Sequence, residues 1–501
     1  MRIPSMGRYL SVLSLVLVAA ACGTDTETIF VERELFDDPP VGAAGFLGFG
    51  TVEAEAAKLT VCGNCHVGKQ GDWEGTAHAD AFATLTANPG AQAFCEGCHT
   101  VGQLGNPTTA DGGWTATGNP RYHDVQCESC HGPGETHVAN PDASQPLAQL
   151  DVGADLTSGC GECHTGSHHP FVEEWEQSKH AQVVGFAASN EACAGCHRGQ
   201  GALKAWGVLS DYVEKDSPDH LPITCGVCHD PHDATNEGQL RFPVQTASVE
   251  EHLCARCHDR RTAPDPNSSH GLGPHSPETA LLQGTAGWFP PDATINEGQI
   301  RATHGSDLNT RLCATCHVAK FTVTDLETGD FVFNATGHRF EAIPCVDAQG
   351  VPVGGTCALD AVARSFGGCT EAGCHSEAGA VSALTVAGGR IRDRANDVLS
   401  QLMVVDPGLD AAGGEIDAAD PRFSVAEGAF FNLNLAIFPD EGVAATLQNV
   451  AGSTVHNPFL TEALLIASIA AIEDEYAVSP SANVGVDWDA ELQLLLKRLE
   501  R

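Results

Sequence analysis

One five-residue pattern takes up nearly all the cysteines of this 501-residue chain. Cys-x-x-Cys-His occurs eight times, and a ninth copy has four residues instead of two between its cysteines. The cysteine pairs, numbered as sites one to nine, are Cys62 and Cys65, Cys95 and Cys98, Cys127 and Cys130, Cys160 and Cys163, Cys193 and Cys196, Cys225 and Cys228, Cys254 and Cys257, Cys313 and Cys316, and Cys369 and Cys374. The histidines that follow these pairs are His66, His99, His131, His164, His197, His229, His258, His317 and His375. Any fold of this chain must therefore accommodate nine such sites.

Each copy of the pattern is typical of covalent haem c attachment. Two cysteines fix the porphyrin edge to the chain by thioether bonds, and the next residue then lies under the iron and supplies an axial nitrogen. Zinc sites and redox-active dithiols also use closely spaced cysteines, but neither requires a histidine directly after the second cysteine every time. The sequence therefore predicts nine haems c, with the nine histidines as proximal ligands of the iron.

Two further cysteines, Cys345 and Cys357, have no adjacent histidine. In an oxidising compartment they most simply form a disulfide with each other. The alternative is that they pair with Cys369 and Cys374, which would remove the ninth haem. Because His375 follows Cys374 as in the other eight copies, we favour haem at this site.

The distal face of each iron needs a second ligand. Fourteen histidines remain once the nine proximal ones are set aside, whereas Met403 is the one methionine beyond the N-terminal segment. Bis-histidine ligation is therefore expected, and the lack of methionine ligation predicts low potentials. Matched positions in a sequence repeat rank six candidates first, and local context adds three. The candidates are His78, His123, His137, His180, His220, His232, His275, His338 and His456, with His169, His270 and His304 in reserve.

That repeat is an internal duplication. The first cysteines of sites one, two and three each lie 98 residues before those of sites four, five and six. The flanks agree, because Asp72-Trp73 precedes His78 as Glu174-Trp175 precedes His180. Sites seven to nine resemble a third, looser set with insertions.

Three local motifs resemble those of exported multihaem cytochromes related to hydroxylamine oxidoreductase and pentahaem nitrite reductase. They are Trp-x-x-[Ser/Thr]-x-His after a haem site, the run from Cys127 to His137, and Val455-His456-Asn457-Pro458. The resemblance covers roughly residues 45–475 and implies that such histidines are distal ligands, often to a haem bound elsewhere in the sequence. Cys-x-x-Cys-Lys, which carries the catalytic haem of the nitrite reductases, does not occur here.

The N-terminus is typical of an export signal. Arg2 and Arg8 form a basic region before an apolar run of 12 residues, Tyr9 to Ala20. This run is too short to cross a bilayer. Cys22 follows three alanines and occupies the position of an acylated lipoprotein cysteine; cleavage without lipid is the alternative. We predict an outer-membrane lipoprotein that faces the periplasm or the cell surface, or otherwise a periplasmic or extracellular protein.

The predicted fold is mainly α and irregular coil. Nine sites between Cys62 and His375 leave each too little chain for a core of its own, so the haems themselves should form the core. Apolar residues at helical spacing predict a C-terminal helical cap. The predicted segments are a signal peptide (1–21), an acidic lipid-anchored tether (22–55), two duplicated three-haem units (56–153 and 154–251), a looser three-haem unit (252–380) and a helical C-terminal region (381–501).

Charge narrows the range of partners. The 65 acidic residues outnumber the 26 lysines and arginines, which gives a net charge of −39. Such a chain lacks the basic patch of a nucleic-acid-binding protein, and its field favours a basic partner or metal cations. The expected partners are other redox proteins, such as cytochromes or an outer-membrane conduit, with membrane contact only through the lipid.

Two functions remain open. The first is electron transfer between redox partners by a chain of bis-histidine haems. The second is a multihaem reductase or oxidase of a small nitrogen or sulfur compound, which needs one iron with an open distal position. Fourteen spare histidines for nine irons force no such vacancy, so we favour the carrier and assign no catalytic residue. A polymerising filament is a minor third alternative.

Overall fold

The structure is a computed structural model that describes residues 36–152, 159–265, 273–325, 327–370, 373–405, 424–440, 443–478 and 486–499. The predicted signal peptide, Cys22 and the rest of the predicted tether up to residue 35, and His270 lie outside these residues.

Short helices joined by irregular loops make up the region that carries the nine sites. The α-helices are α1 (Val52–Ala56), α2 (Val67–Glu74), α3 (Ala81–Ala87), α4 (Gly113–Thr117), α5 (Cys127–His131), α6 (Glu135–Ala139), α7 (Phe171–Glu176), α8 (Gly185–Ser189), α9 (Glu191–His197), α10 (Gly199–Ala205), α11 (Cys225–Cys228), α12 (Glu278–Gln283), α13 (Cys313–His317) and α14 (Gly367–Thr370). Between them lie 3-10 helices at Cys62–Asn64, Ala77–Asp80, Ala93–Cys98, Pro120–Tyr122, Gly159–Glu162, Lys179–Ala181, Glu237–Gln239, Val249–Glu251, Leu253–Arg256 and Thr303–Gly305. The 54 glycines and 27 prolines of the chain help to keep helices short, because both residue types destabilise helix interiors.

A single hairpin supplies the strands of the described residues. Strand β1 (Phe321–Thr324) pairs antiparallel with β2 (Phe331–Ala335), with Phe321 opposite Ala335 and a register irregularity after Val323. The chain leaves β2 directly into the turn that carries His338.

The C-terminal region is helical, as the sequence periodicity predicts. It contains α15 (Glu377–Val405), α16 (Val425–Ile437), α17 (Ala451–His456), α18 (Pro458–Tyr476) and α19 (Trp488–Leu499). The stripe Ile391, Ala395, Val398 and Leu402 of α15 is fully buried against α16 and α18. None of the described helices is long and apolar enough to cross a membrane.

Apolar packing is distributed unevenly between the two regions. The largest cluster joins α15, α16, α18 and α19 to residues 280–300. The other clusters contain only three to five buried residues each. The predicted class, mainly α and irregular coil, is confirmed, and the small size of the clusters around the nine sites fits an interior completed by another group.

The predicted tether extends too far along the chain. Residues 43–49 are part of the folded region, because Phe46, Leu47 and Phe49 are fully buried. Arg121 donates from Nε to the carbonyl oxygens of Leu47 and Phe49, and Glu128 accepts from the backbone N–H groups of residues 47 and 48. This apolar stretch packs on the first unit and is not a free tether.

Candidate haem sites

Every Cys-x-x-Cys-His copy lies on or beside a single helical turn. In sites one, four, six and seven the histidine N–H donates to the carbonyl oxygen of the first cysteine, over 2.9–3.0 Å. This turn brings both cysteines and the histidine to one side of the backbone, because residues three and four apart share a helix face. The local fold therefore presents the three groups that attach a haem c together.

At site nine a longer segment between the two cysteines is also closed by a hydrogen bond from the histidine N–H to the carbonyl oxygen of the first cysteine. His375 N–H donates to the carbonyl oxygen of Cys369 over 3.3 Å, and Gly373 between them has a φ of +70°. Glycine adopts this left-handed conformation without the strain of a Cβ atom. Cys345 and Cys357 form a disulfide with each other, so neither pairs with the cysteines of site nine.

Histidines that follow the cysteine pairs stand opposite histidines from elsewhere in the chain. Eight such pairs have ring centroids 5.8–6.3 Å apart. They are His66 and His137, His131 and His232, His164 and His78, His197 and His275, His229 and His338, His258 and His180, His317 and His456, and His375 and His304.

This separation fits one metal between two imidazoles. A metal–imidazole nitrogen bond is about 2.0–2.1 Å long, and each ring centre lies about an ångström behind its nitrogen. Two rings on opposite faces of one iron therefore stand about 6 Å apart. Direct ring-to-ring packing gives shorter contacts, such as the 3.7 Å between His123 and Phe82. The residues present thus fit iron held between two histidines at eight sites.

Hydrogen bonds at Nδ1 hold several of these rings and leave their Nε2 atoms available to a metal. The Nδ1 atoms of His131, His229 and His317 lie 2.6–2.8 Å from the carbonyl oxygens of Pro146, Gly238 and Phe340. On the opposite face, the Nδ1 atoms of His137, His304 and His456 lie 2.6–2.9 Å from carbonyl oxygens. An Nδ1–H donated to a carbonyl fixes the tautomer and leaves Nε2 as the metal-binding nitrogen.

Burial keeps at least three of these imidazoles neutral. It lowers the pKa of His164 to about 4, with a further contribution from the neighbouring His78. It also lowers the pKa of His180 and of His338 to about 4, and in each case the opposite histidine adds to the effect. A neutral imidazole is the form that binds a metal.

The structure separates the predicted distal histidines into two groups. Seven of the nine candidates stand opposite a proximal histidine, and so does His304 from the reserve. His123 instead stacks on Phe82, with its Nδ1 3.3 Å from Glu55 Oε1. His220 places Nε2 3.3 Å from Ser189 Oγ. Matched positions in a repeat show that two residues are equivalent in sequence, but not that either of them binds iron.

Site two differs from the others. His99 donates from Nδ1 to the carbonyl oxygen of Ala81 over 2.8 Å. Within the described residues, no histidine ring stands against His99 at the separation seen in the eight pairs. His169 is near enough for the charge of His99 to contribute, after burial, to lowering the pKa of His169.

The histidine pairs link the sequence repeats to one another. His78 of the first unit faces His164 of the second, and His180 of the second faces His258 of the third. In the opposite direction, His232 faces His131 and His338 faces His229. The units predicted from the sequence are therefore interlocked repeats, since neighbouring units supply each other's opposite histidines.

Cysteine contacts follow the same repeat. The thiols of Cys62 and Cys127, of Cys160 and Cys225, and of Cys254 and Cys313 approach within hydrogen-bonding reach. These contacts join sites one and three, four and six, and seven and eight. Site eight is thus the counterpart of sites three and six. The third unit lacks a counterpart of the middle site, and the 59 residues between the first cysteines of sites seven and eight contain the segment that replaces it.

Two positioning residues have no local sequence signal. Glu174, 2% exposed, accepts hydrogen bonds from Thr336 N–H, Thr336 Oγ1 and His338 N–H at 2.7–2.8 Å, across more than 160 residues of sequence. His252, fully buried, accepts from Cys254 N–H through Nδ1 at 3.1 Å and lies 3.2 Å from the Arg311 carbonyl oxygen through Nε2. The partners of Glu174 and the Arg311 partner of His252 come from distant parts of the chain, so only the folded structure identifies these contacts.

Comparison with known proteins agrees with these sites. Residues 61–132 match the family described as cytochrome c554 and c-prime, and residues 220–263 match the doubled CXXCH motif. The chain is 28% identical over 177 residues to the multihaem cytochrome MtrA of Shewanella baltica, an alignment that covers 31% of this chain and 46% of MtrA. It is 34% identical over 90 residues to cytochrome c-554 of Nitrosomonas europaea, covering 15% of this chain and 36% of the relative. The chain therefore spans less than half the length of either curated relative.

Two solved structures are similar in outline. The outer cell wall cytochrome OcwA has a TM-score of 0.49 and 17% identity, with 82% of this chain and 98% of OcwA covered. The undecahaem cytochrome from the S-layer of Carboxydothermus ferrireducens has a TM-score of 0.49 and 17% identity, with 89% of this chain and 71% of that chain covered. Two separate segments of this chain thus match families of multihaem c-type cytochromes, and both lie where its Cys-x-x-Cys-His sites are found.

Proposed function

We propose that this protein is an exported electron-transfer cytochrome that carries nine haems c and relays electrons between redox partners. The single observation that carries the proposal is the set of eight pairs in which a histidine of a haem site stands opposite a histidine from elsewhere in the same chain. Eighteen cysteines next to nine histidines supply the covalent attachment, and the opposite histidines complete the ligation. Saturated ligation suits electron transfer, because it leaves the iron no position for a substrate.

Continuity of the haem array is supported by the thiol contacts. Besides the three contacts within units, Cys98 approaches Cys163, and Cys196 approaches Cys257. Cys130 and Cys160 are near enough for their charges to interact, as are Cys228 and Cys254, and Cys316 and Cys369. Each attached haem would therefore have a neighbour at its thioether edge. Sites two and five are branches in this pattern of contacts, since they are joined to sites four and seven.

The protein and the cofactor have separate tasks in this proposal. Haem c supplies the one-electron redox chemistry of iron when bound. The chain supplies the ligands, fixes the tautomer of six of them through Nδ1 hydrogen bonds to carbonyl oxygens, and spaces the sites by sharing histidines between repeats. Glu174 holds the turn of His338, and His252 caps the helical turn of site seven.

The location and partners also belong to the proposal. The export signal and Cys22 favour a lipoprotein held at the outer membrane, facing the periplasm or the cell surface. The net charge of −39 favours a redox partner with a basic docking face, such as another cytochrome or an outer-membrane conduit. The resemblance to the hydroxylamine oxidoreductase and nitrite reductase group stays a prediction.

Site two supports the second candidate function. An iron bound to His99 lacks an opposite histidine ring in the described residues, unless His169 swings onto it or His270 reaches it. If neither binds, this iron has the open position that a reductase or oxidase of a small nitrogen or sulfur compound requires.

Replacement of one opposite histidine tests the proposal. His180→Ala removes the ring that stands 6.2 Å from His258, so one low-spin signal should disappear from the EPR spectrum of the oxidised protein. The reduced variant should bind one more equivalent of carbon monoxide than the wild type. His220→Ala is the matched control, because this histidine contacts Ser189 and should change neither measurement.

Each outcome has a distinct meaning. Unchanged ligation in His180→Ala would contradict the bis-histidine proposal. The unmutated protein could instead bind one equivalent of carbon monoxide. If substitutions at the eight paired sites do not alter this binding, the open iron is at site two, and the result favours the enzyme.

A further inference from the structure

Glu278 contacts the proximal histidine of site seven. Its Oε2 lies 3.4 Å from His258 Nδ1, and the adjacent Thr279 N–H donates to the His258 carbonyl oxygen over 3.1 Å. The segment between them leaves site seven and returns, and its two ends are held together by the Arg260–His275 backbone bridge. The backbone pairing of Arg260 with His275 therefore brings Glu278 close to His258.

The carboxylate oxygen that faces His258 is otherwise unpartnered. Oε2 of Glu278 is buried and has no hydrogen-bond partner of good geometry. A buried carboxylate oxygen without a donor is costly, and the Nδ1–H of His258, 3.4 Å away, can supply one. The proximal histidines of sites two, three, six and eight place Nδ1 against neutral carbonyl oxygens instead.

We propose that Glu278 sets the reduction potential of site seven below that of the otherwise equivalent sites, through its contact with His258. A carboxylate that accepts the Nδ1–H makes the imidazole a stronger electron donor to iron. Reduction adds one electron from the redox partner and removes one positive charge at the iron, so a fixed negative charge beside the ligand favours the oxidised state. The inference rests on the proposed ligation of one iron by His258 and His180.

Asp230 provides a comparison within the same chain. It lies 3.1 Å from Nδ1 of His232, the histidine opposite His131, and so also places a carboxylate against a ligand of site three. Asp230 however forms a 2.8 Å ion pair with Arg241, which neutralises it. The described residues give Glu278 no such arginine or lysine within ion-pair distance. The effect on potential should therefore be larger at Glu278 than at Asp230.

An EPR-monitored redox titration of the full haem-loaded chain tests this inference. The low-spin signal that His180→Ala removes is the signal of site seven. In Glu278→Gln this signal should titrate at a higher potential than in the wild type, because the amide keeps the size of the side chain and removes its charge. Glu278→Asp keeps the charge and should stay closer to the wild type.

Two controls make the result specific. Glu250→Gln removes an exposed charge that contacts Gln283 at the end of α12 and should leave the site seven signal unchanged. Asp230→Asn should move the site three signal by less than Glu278→Gln moves that of site seven. An unchanged midpoint in Glu278→Gln, or an equal rise in Glu250→Gln, would overturn the role of Glu278. If His180→Ala removes no low-spin signal, the proposed ligation fails instead.

Discussion

Glu174→Ala should open the iron of site six without touching any ligand. Glu174 is buried and holds the turn of residues 336–338 by three hydrogen bonds of 2.7–2.8 Å. A hydrogen bond to a charged group contributes about 1.5–3 kcal/mol, and water that enters the vacated space will replace part of the three. We therefore expect the attachment of this turn to weaken by about 3–5 kcal/mol.

The consequence should be measurable at His229, which lies opposite His338 at 6.3 Å between ring centroids. Once the turn is loosened, His338 leaves the iron for a fraction of the time. The oxidised variant should show a new high-spin EPR signal, and the reduced variant should bind carbon monoxide in a fraction of one equivalent. Far-UV circular dichroism should show a lower melting temperature.

A control for Glu174→Ala comes from the duplication. Asp72 occupies the equivalent place before Trp73, but its side chain is exposed. Asp72→Ala should therefore change neither the EPR spectrum nor carbon monoxide binding. If Glu174→Ala leaves both measurements and the melting temperature at wild-type values, the reasoning that Glu174 positions His338 is refuted.

Three further predictions concern the cofactor count, the partner and the helical region. Mass spectrometry of the intact protein should show nine haem additions, and eight would remove the ninth site at Cys369 and Cys374. Electron-transfer rates with a basic redox partner should fall as salt rises, because exposed charges are screened beyond ~10 Å at 0.1 M; rates indifferent to salt would refute docking through the acidic surface. Gly428→Ala should lower stability by about 1–3 kcal/mol with an unchanged haem spectrum, because the new methyl group meets the partly buried Trp288 ring, whereas Gly389→Ala, with open space around it, should not.

Local sequence patterns were sufficient to predict those groups of each site that lie within a few residues of one another. The two cysteines and the histidine of each copy are close in sequence, so a single helical turn brings them together in any fold. The C-terminal helices could be predicted for the same reason, because the apolar residues from Ile391 to Leu402 recur once per turn and are buried together. The pairing of Cys345 with Cys357, also close in sequence, is the one present in the structure.

Identifying the opposite histidine of each site required the tertiary structure. The repeat correctly indicated that His78 and His180 are equivalent, but it gave the same rank to His123 and His220, which contact Phe82 and Ser189. Whether a histidine stands opposite a given iron depends on contacts between units, such as the approach of His338 to His229 across 109 residues. Sequence spacing contains no information about such contacts.

The sequence by itself located the nine cysteine and histidine motifs that predict haem c attachment, revealed the 98-residue duplication, and predicted that the C-terminal end is helical. The tertiary structure alone decided which histidines face each other and that the third unit lacks a middle site. It alone also decided that Glu174 contacts His338, 164 residues away, and that Glu278 contacts His258 across a loop. The physical reason is range: covalent attachment and helix periodicity are set within a few residues, whereas axial pairing and the charge beside a ligand depend on how separate turns pack.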